Sequence, residues 1–392
     1  MERVQIKKGS ENKYFKGQAH IEYGDLSDDV FLKNGQLISL ESHYGEYIAT
    51  AMLTMESKAQ GWVLSRNKED VIDKNFITDK IELAIDNRAP LFNEVGTDVF
   101  RLFNEIGDGL GGLMIDYYAN HIFVTYNTQA LHEYRDAITQ TLIVQLQPNS
   151  ITEQTRFVED GKLVVENTPV YGKVTFPIVV EESGVKYSVH LNDGPMTRFF
   201  IDQRETRKKL SRMNKPGGQM LNLFAYSGTF SVAAAESGMI TTSVDLAKRT
   251  IELIEDNFKL NEIDSDRHKV HVMDTFEFLN YAQRKDLKYD IILIDPPSFA
   301  RNKNKVFKVE RDYAKLIAQS VPLLKKNGEL ILSQNSETFT LNQFKAQIDN
   351  TLKKLGYQYT LMDVKGLPKD FRVSNGYKNG KYLKVVTVTI NG

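Results

Sequence analysis

The chain contains no cysteine. That absence removes disulfide bridges, thiolate metal sites and thiol nucleophiles together, and no metal site of another kind is expected. Long apolar runs are also missing. No stretch approaches the roughly 18 apolar residues that span a bilayer, so no membrane partner is expected. The first residues, Met1-Glu2-Arg3-Val4-Gln5-Ile6-Lys7-Lys8, lack the apolar core of a signal peptide. A cytoplasmic location is the corresponding expectation.

What is present describes a globular chain. Its 392 residues are 41% hydrophobic and 26% charged, a soluble composition, and the length predicts two or three domains. The net charge of −1 conceals a division. Residues 1–75 carry 10 Lys/Arg against 12 Asp/Glu, residues 76–185 carry 7 against 16, and residues 186–392 carry 33 against 23. A basic final block suits a polyanionic partner, or a lysine-rich solvated surface.

Three patterns follow one another. Residues 1–74 read as short strands with frequent turns, including a hairpin of Val30–Leu32 and Gln36–Leu40 about an Asn34-Gly35 turn. Residues 75–184 read as an acidic α+β segment: a helix over 75–87, then strands near 100–105, 113–118 and 121–126. From 185 to 392, strands and helices alternate, which predicts an α/β domain with a doubly wound parallel sheet; Lys381–Ile390 would add a last strand.

Two stretches in this third segment carry chemistry. Leu221-Asn222-Leu223-Phe224-Ala225-Tyr226-Ser227-Gly228-Thr229-Phe230 and Ile291-Ile292-Leu293-Ile294-Asp295-Pro296-Pro297-Ser298-Phe299 each read as a buried strand ending in a turn. Ligands of such sheets bind in the crevice beyond the strands' carboxyl ends. Gly228 sits in the first turn, Asp245 ends the next strand 17 residues later, and Asp274 ends the one after. A cofactor with a ribose would use such acids; a dinucleotide would use one at similar spacing, and each Asp also reads as a helix N-cap. In the second turn, Pro296 and Pro297 remove two N–H donors. The loop is left rich in acceptors, led by Asp295, which suits the amino edge of a base, and Phe299 could stack on that base. A rigid surface turn is the structural alternative.

Together with Phe200-Ile201-Asp202-Gln203-Arg204 and Val244-Asp245, these motifs give the chain a resemblance over nearly its full length to class I S-adenosylmethionine (SAM) methyltransferases, specifically the bacterial large-subunit ribosomal RNA enzymes of the RlmI and RlmK type. The resemblance implies a PUA-like RNA-binding domain over 1–74, a central α+β domain over 75–184 and a Rossmann-like methyltransferase domain over 185–392. It implies SAM as cofactor, surrounded by Gln203, Arg204, Asn222, Phe224, Ala225, Tyr226, Ser227, Gly228, Asp245, Asp274 and Asp295. Asp295, Pro296 and Phe299 would hold the base. Lys7, Lys8, Arg301, Lys303, Lys305 and Arg372 would meet RNA phosphates. Arg204, Arg207, Lys208, Lys209 and Arg212 form a second basic run. The partners implied are large-subunit ribosomal RNA and, as an oligomeric state to test, a second copy in a homodimer.

One departure narrows the reaction. RlmI-type cytosine-C5 enzymes carry a catalytic cysteine after the strand that follows the Asp-Pro-Pro loop; here that strand ends Ser333-Gln334-Asn335-Ser336. Covalent activation of cytosine is therefore unavailable. RlmK-type guanine-N7 enzymes are more similar, having a Ser-Asn-Asn stretch there and a downstream stretch like Leu367-Pro368-Lys369-Asp370-Phe371-Arg372. Guanine N7 is the expected acceptor. Guanine N2 methylation, or a non-catalytic RNA-binding or ribosome-assembly role, are the alternatives.

Overall fold

The computed structural model describes residues 1–27, 33–56, 59–159, 162–302 and 305–391. Contacts divide the chain into two compact units, residues 1–178, 189–197 and 369–380 in one, and residues 179–188, 198–368 and 381–392 in the other.

The first unit holds two five-stranded sheets. One runs in the order Glu2–Gln5, Leu37–Glu41, Tyr47–Glu56, Ala59–Ser65, His20–Ile21. Gly35 adopts φ 79°, as an Asn-Gly turn requires. Its N–H donates to Leu53 O at 2.9 Å, so the turn closes onto the strand Tyr47–Glu56; the expected arm Val30–Leu32 lies outside the described residues. The second sheet runs Lys162–Gly172, Ser150–Glu159, His121–Tyr126, Leu113–Tyr118, Val99–Asn104. His121–Tyr126 and Ser150–Glu159 pair in parallel, and the helix Arg135–Leu146 lies in the crossover between them. Met52 and Leu64 of the first sheet lie in one apolar core with Phe100, Ile115 and Leu142.

Residues 369–380 are held within this unit by buried charge. The Arg88 guanidinium pairs with both Asp108 carboxylate oxygens, at 2.6 and 2.7 Å, and donates to Asp370 O. The Arg101 backbone N–H donates to Asp370 Oδ2 at 2.8 Å, and the Arg101 guanidinium lies 4.6 Å from the centre of the Phe371 ring. A bidentate pair of this kind is both strong and directional.

The second unit is built on seven strands: β1 (Gln219–Leu223), β2 (Ile240–Asp245), β3 (Lys269–Val272), β4 (Tyr289–Ile294), β5 (Leu324–Gln334), β6 (Gln358–Lys365) and β7 (Lys384–Asn391). Their order is β3-β2-β1-β4-β5-β7-β6. The first five are parallel, and β7 runs antiparallel to both neighbours. Among the described residues, six α-helices accompany them: α1 (Arg204–Ser211), α2 (Thr229–Glu236), α3 (Thr250–Leu260), α4 (Thr275–Arg284), α5 (Val309–Ser320) and α6 (Leu341–Lys354). Ile291 to Ile294 are fully buried, which is why β4 reads as an unbroken apolar run rather than an alternating one. α5 buries Val309, Tyr313, Leu316, Ile317 and Ser320, the i, i+4, i+7, i+8 spacing of one helix face. α6 starts at a capping box between Thr340 and Gln343.

The winding direction reverses between β1 and β4. The chain proceeds outward from β1 to β3, then returns to β4 and builds the other half. The carboxyl ends of β1 and β4 therefore open a crevice at the switch point, where this architecture binds ligands. The α/β class and doubly wound sheet expected from the alternation are both present.

Candidate active site

The loop after β1 has an unusual backbone. Phe224, Tyr226 and Gly228 all adopt positive φ, at 62°, 49° and 71°. For residues other than glycine this region is sterically costly, and the loop is held there by several bonds. Ala225 N–H donates to Val244 O at 3.0 Å and Gly228 N–H to Ala225 O at 2.7 Å. Ser227 Oγ donates to Arg198 O at 2.6 Å, and Asn257 Nδ2 of α3 donates to Ser227 O at 3.0 Å. Gly228 caps α2, and a Cβ there would lie 2.4 Å from Ile254 Cγ1. The missing side chain lets α3 approach, and α2 starts directly after the loop, its first accepting carbonyl being Gly228 O. Gly228→Ala is expected to destabilise the fold by roughly 1–3 kcal/mol, because the loop is strained and Ile254 must move; calorimetric melts of the two proteins measure it.

Asp245, at the end of β2, accepts from Tyr226 N–H through Oδ2 and from Ala247 N–H through Oδ1, both at 2.9 Å. It thus ties the loop after β1 to the start of the next segment. A carboxylate offers about four acceptor positions, so two bonds leave capacity for ribose hydroxyls. Asp274, after β3, accepts from Phe276 and Glu277 N–H through Oδ1, and is the N-cap of α4. Leu246 and Phe200 are large apolar residues with 53% and 44% of their surface exposed. Leu246 directly follows Asp245, where it offers an apolar surface suited to a flat ring. Sequence reasoning did not single out Leu246, whose exposed apolar side chain directly follows the strand-end carboxylate.

Asp295 ends β4. Gln203 Nε2 donates to its Oδ2 at 3.2 Å and to Ser333 Oγ at 2.9 Å. Asp295 retains some accessible surface, yet the atoms crowded around its carboxyl desolvate it. Burial pushes its pKa up to about 6; the Ser333 hydroxyl opposes this, the Asp202 charge adds to it, and Arg207 and Gln203 oppose it. Pro296 is buried and Pro297 exposed. Phe299 begins a hairpin, Phe299–Asn302 paired with Lys305–Lys308. The side chains of Phe299, Arg301 and Lys305, and the whole of Lys303, lie outside the described residues.

Other expected site residues take different places. Asn222 is fully buried beneath the loop, where its Nδ2 donates to Ser231 Oγ at 2.9 Å; it supports the loop from behind. Arg204 and Arg207 face inward. Arg207 pairs with both oxygens of buried Glu182 at 2.7 and 2.9 Å and lies 4.1 Å from the centre of the Phe199 ring. Arg204 Nε lies 3.5 Å from Glu182. Two members of the basic run, Arg204 and Arg207, are thus corrected as phosphate-binding groups: they balance a buried glutamate, whereas Lys208 and Lys209 are half-buried and Arg212 is exposed. Gln334 is also internal, donating to Phe339 O and accepting from Ser336 N–H, whereas exposed Asn335 accepts from Ser298 Oγ. In the first unit, Lys8 is exposed, Lys7 N–H donates to Asp25 O, and Arg372 Nε lies 3.5 Å from Asp108. Among the described residues no cluster of three or more His, Asp or Glu suits a metal ion, and no helix is long and apolar enough to cross a membrane.

The chain is similar to known proteins over nearly its full length. The S-adenosylmethionine-dependent methyltransferase family matches residues 123–351, and a PUA-like domain matches residues 4–66. YwbD of Bacillus subtilis (strain 168), named as a candidate ribosomal RNA large subunit methyltransferase, is 37% identical over 391 residues, covering 98% of this chain and 99% of that one. Ribosomal RNA large subunit methyltransferase I of Shewanella frigidimarina (strain NCIMB 400) is 27% identical over 356 residues, 89% of each. The crystal structure of SMU.776, a candidate methyltransferase complexed with SAH, superposes with a TM-score of 0.91 at 35% identity, covering 99% of this chain and all of that one.

Proposed function

The chain belongs to the S-adenosylmethionine-dependent methyltransferases, and from that premise we propose that it methylates large-subunit ribosomal RNA at N7 of a guanine. The RNA class is supported by the names of its relatives and by the PUA-like match. The position rests on one observation above the others. The end of β5, where a covalent mechanism would place its thiol, carries buried Gln334 and exposed Asn335, and the chain has no cysteine anywhere.

Bound SAM would supply an electrophilic methyl group on a sulfonium. The loop Phe224–Gly228 and Asp245 would hold that cofactor, with Asp274 and Leu246 beside its adenosine. Guanine N7 has an in-plane lone pair and no proton to lose. The protein need only align it with the methyl group, exclude water and hold the opposite edge of the base. Asp295 suits the holding of that edge. Ionised above its pKa of about 6, it can accept from guanine N1–H and the 2-amino group. Its negative charge also opposes the positive charge that N7 methylation leaves on the ring. Lys7, Lys8, Arg301, Lys303, Lys305 and Arg372 are proposed to meet RNA phosphates. Methylation of the 2-amino group could use the same acceptors, but there Asp295 would hold the reacting edge rather than the opposite one. Mass spectrometry of ribosomal RNA nucleosides from wild-type and deletion cells decides: the deletion should lack one N7-methylguanine per large subunit. Loss of N2-methylguanine instead would contradict the assignment.

A further inference from the structure

We propose that Gln203 and Ser333 are positioning residues that hold the Asp295 carboxylate in place as an acceptor for the substrate base. The proposal rests on the reading of Asp295 given above and adds the groups through which it acts.

The hydrogen bonds have one consistent direction. Thr206 Oγ1 donates to Gln203 Oε1 at 3.1 Å, which fixes the amide so that Nε2 faces the carboxylate. The two amide hydrogens then serve Asp295 Oδ2 and Ser333 Oγ. Because Ser333 Oγ accepts from Gln203, its own proton is directed at Asp295. Thr206, Gln203 and Ser333 are all buried, whereas Asp295 keeps surface toward solvent. Three donors and acceptors from α1, its preceding turn and β5 thus converge behind one carboxylate whose other side is open. The Tyr313 hydroxyl of α5 lies 2.9 Å from Ile294 O and 2.8 Å from Ser333 O, sharing its proton between the two strand ends that carry this pair. The charges facing Asp295 are Asp202, which works against its ionisation, and Arg207, which works for it.

The test compares wild type with S333A, S333T and Q203M, by single-turnover methylation of ribosomal RNA from pH 5.5 to 8.5 and by carbon-13 carboxyl titration of Asp295. Loss of one donor should move the acid limb of S333A upward by about one pH unit. At pH 6 its rate then falls roughly fivefold, while at pH 8.5 it stays within about threefold of wild type. Q203M should move in the same direction, S333T should restore the wild-type profile, and affinity for S-adenosylhomocysteine should be unchanged in S333A. Wild-type profiles for both S333A and Q203M, or an S333T profile matching S333A, overturn the proposal. The carboxyl titration separates the clamp from the reaction it serves. A shifted Asp295 in an enzyme that makes another methylated base retains the clamp and rejects the N7 reading. An unshifted Asp295 in an enzyme that makes N7-methylguanine does the reverse.

Discussion

Asp295→Asn is expected to slow methylation by about 100- to 1,000-fold, the usual effect of removing one charge-matched group from a reacting centre, while making the protein more stable. The rate falls because an asparagine amide cannot present two carboxylate oxygens to adjacent N–H donors, so the base loses its alignment with the methyl group. The stability gain follows from the sign of the pKa shift. Burial raises the Asp295 carboxyl to about 6 in the folded chain, from an ordinary value of 3.8. The unfolded chain therefore releases this proton first as pH rises. Stability contributed by the protonated form is complete below about pH 4 and lost as pH climbs through 6. Above that, the ionised carboxyl costs up to about 3 kcal/mol, and asparagine removes this cost. Asp295→Asn should thus melt a few degrees higher than wild type at pH 7.5, with the difference vanishing near pH 4. In the wild type, the methylation rate should fall as pH drops through about 6. Calorimetric melts at the two pH values, with single-turnover rates, test both statements. A variant that is both inactive and less stable at pH 7.5 would show that Asp295 is structural.

Asp245→Ala should weaken SAM binding about 10- to 150-fold, the equivalent of roughly 1.5–3 kcal/mol for a charge-assisted hydrogen-bonding group. Its two oxygens hold Tyr226 and Ala247 N–H, so the variant loses both a ribose partner and an anchor of the positive-φ loop. Asp245→Asn, which keeps one acceptor oxygen, should fall between the two. Titration calorimetry with S-adenosylhomocysteine measures the series, and equal affinity in all three proteins would remove Asp245 from the cofactor site.

The doubly wound sheet was legible because its central strands are buried on both faces. A run as short as Ile291–Ile294, bounded by turn residues, reads as a doubly buried strand rather than a helix, and it ends at a polar turn that marks the crevice. β6 was missed: Gln358–Lys365 is a largely exposed edge strand, so it carries no comparable apolar run. The inward turn of Arg204 and Arg207 was not legible either. Helix α1 carries four basic residues in eight, and which of them are buried depends on Glu182, more than twenty residues earlier. The return of residues 369–380 to the first unit has the same cause. Arg88 and Asp370 are 282 positions apart, and nothing local to Asp370-Phe371-Arg372 predicts the buried partner. In the proposed site, the carboxylates and glycine were chosen from their position along the strands, and the structure places them at the strand ends; the bonds behind Asp295 had no such signal. Ser333 and Thr206 are ordinary polar residues until the sheet brings them together. Asn222 sits inside the motif, but both faces of β1 are buried, and its side chain is spent on Ser231 beneath the loop.

The central claim is direct methyl transfer to guanine N7 on large-subunit ribosomal RNA. N7-methylguanine is cationic, and borohydride followed by aniline breaks the strand at that nucleotide, whereas N2-methylguanine and 5-methylcytosine leave it intact. The purified chain is incubated with SAM and large-subunit RNA from deletion cells, treated in this way and mapped by primer extension. The account predicts one new break at a guanosine, dependent on both protein and SAM and formed about 100- to 1,000-fold more slowly with Asp295→Asn. Methyl incorporation into the RNA with no new break would contradict it.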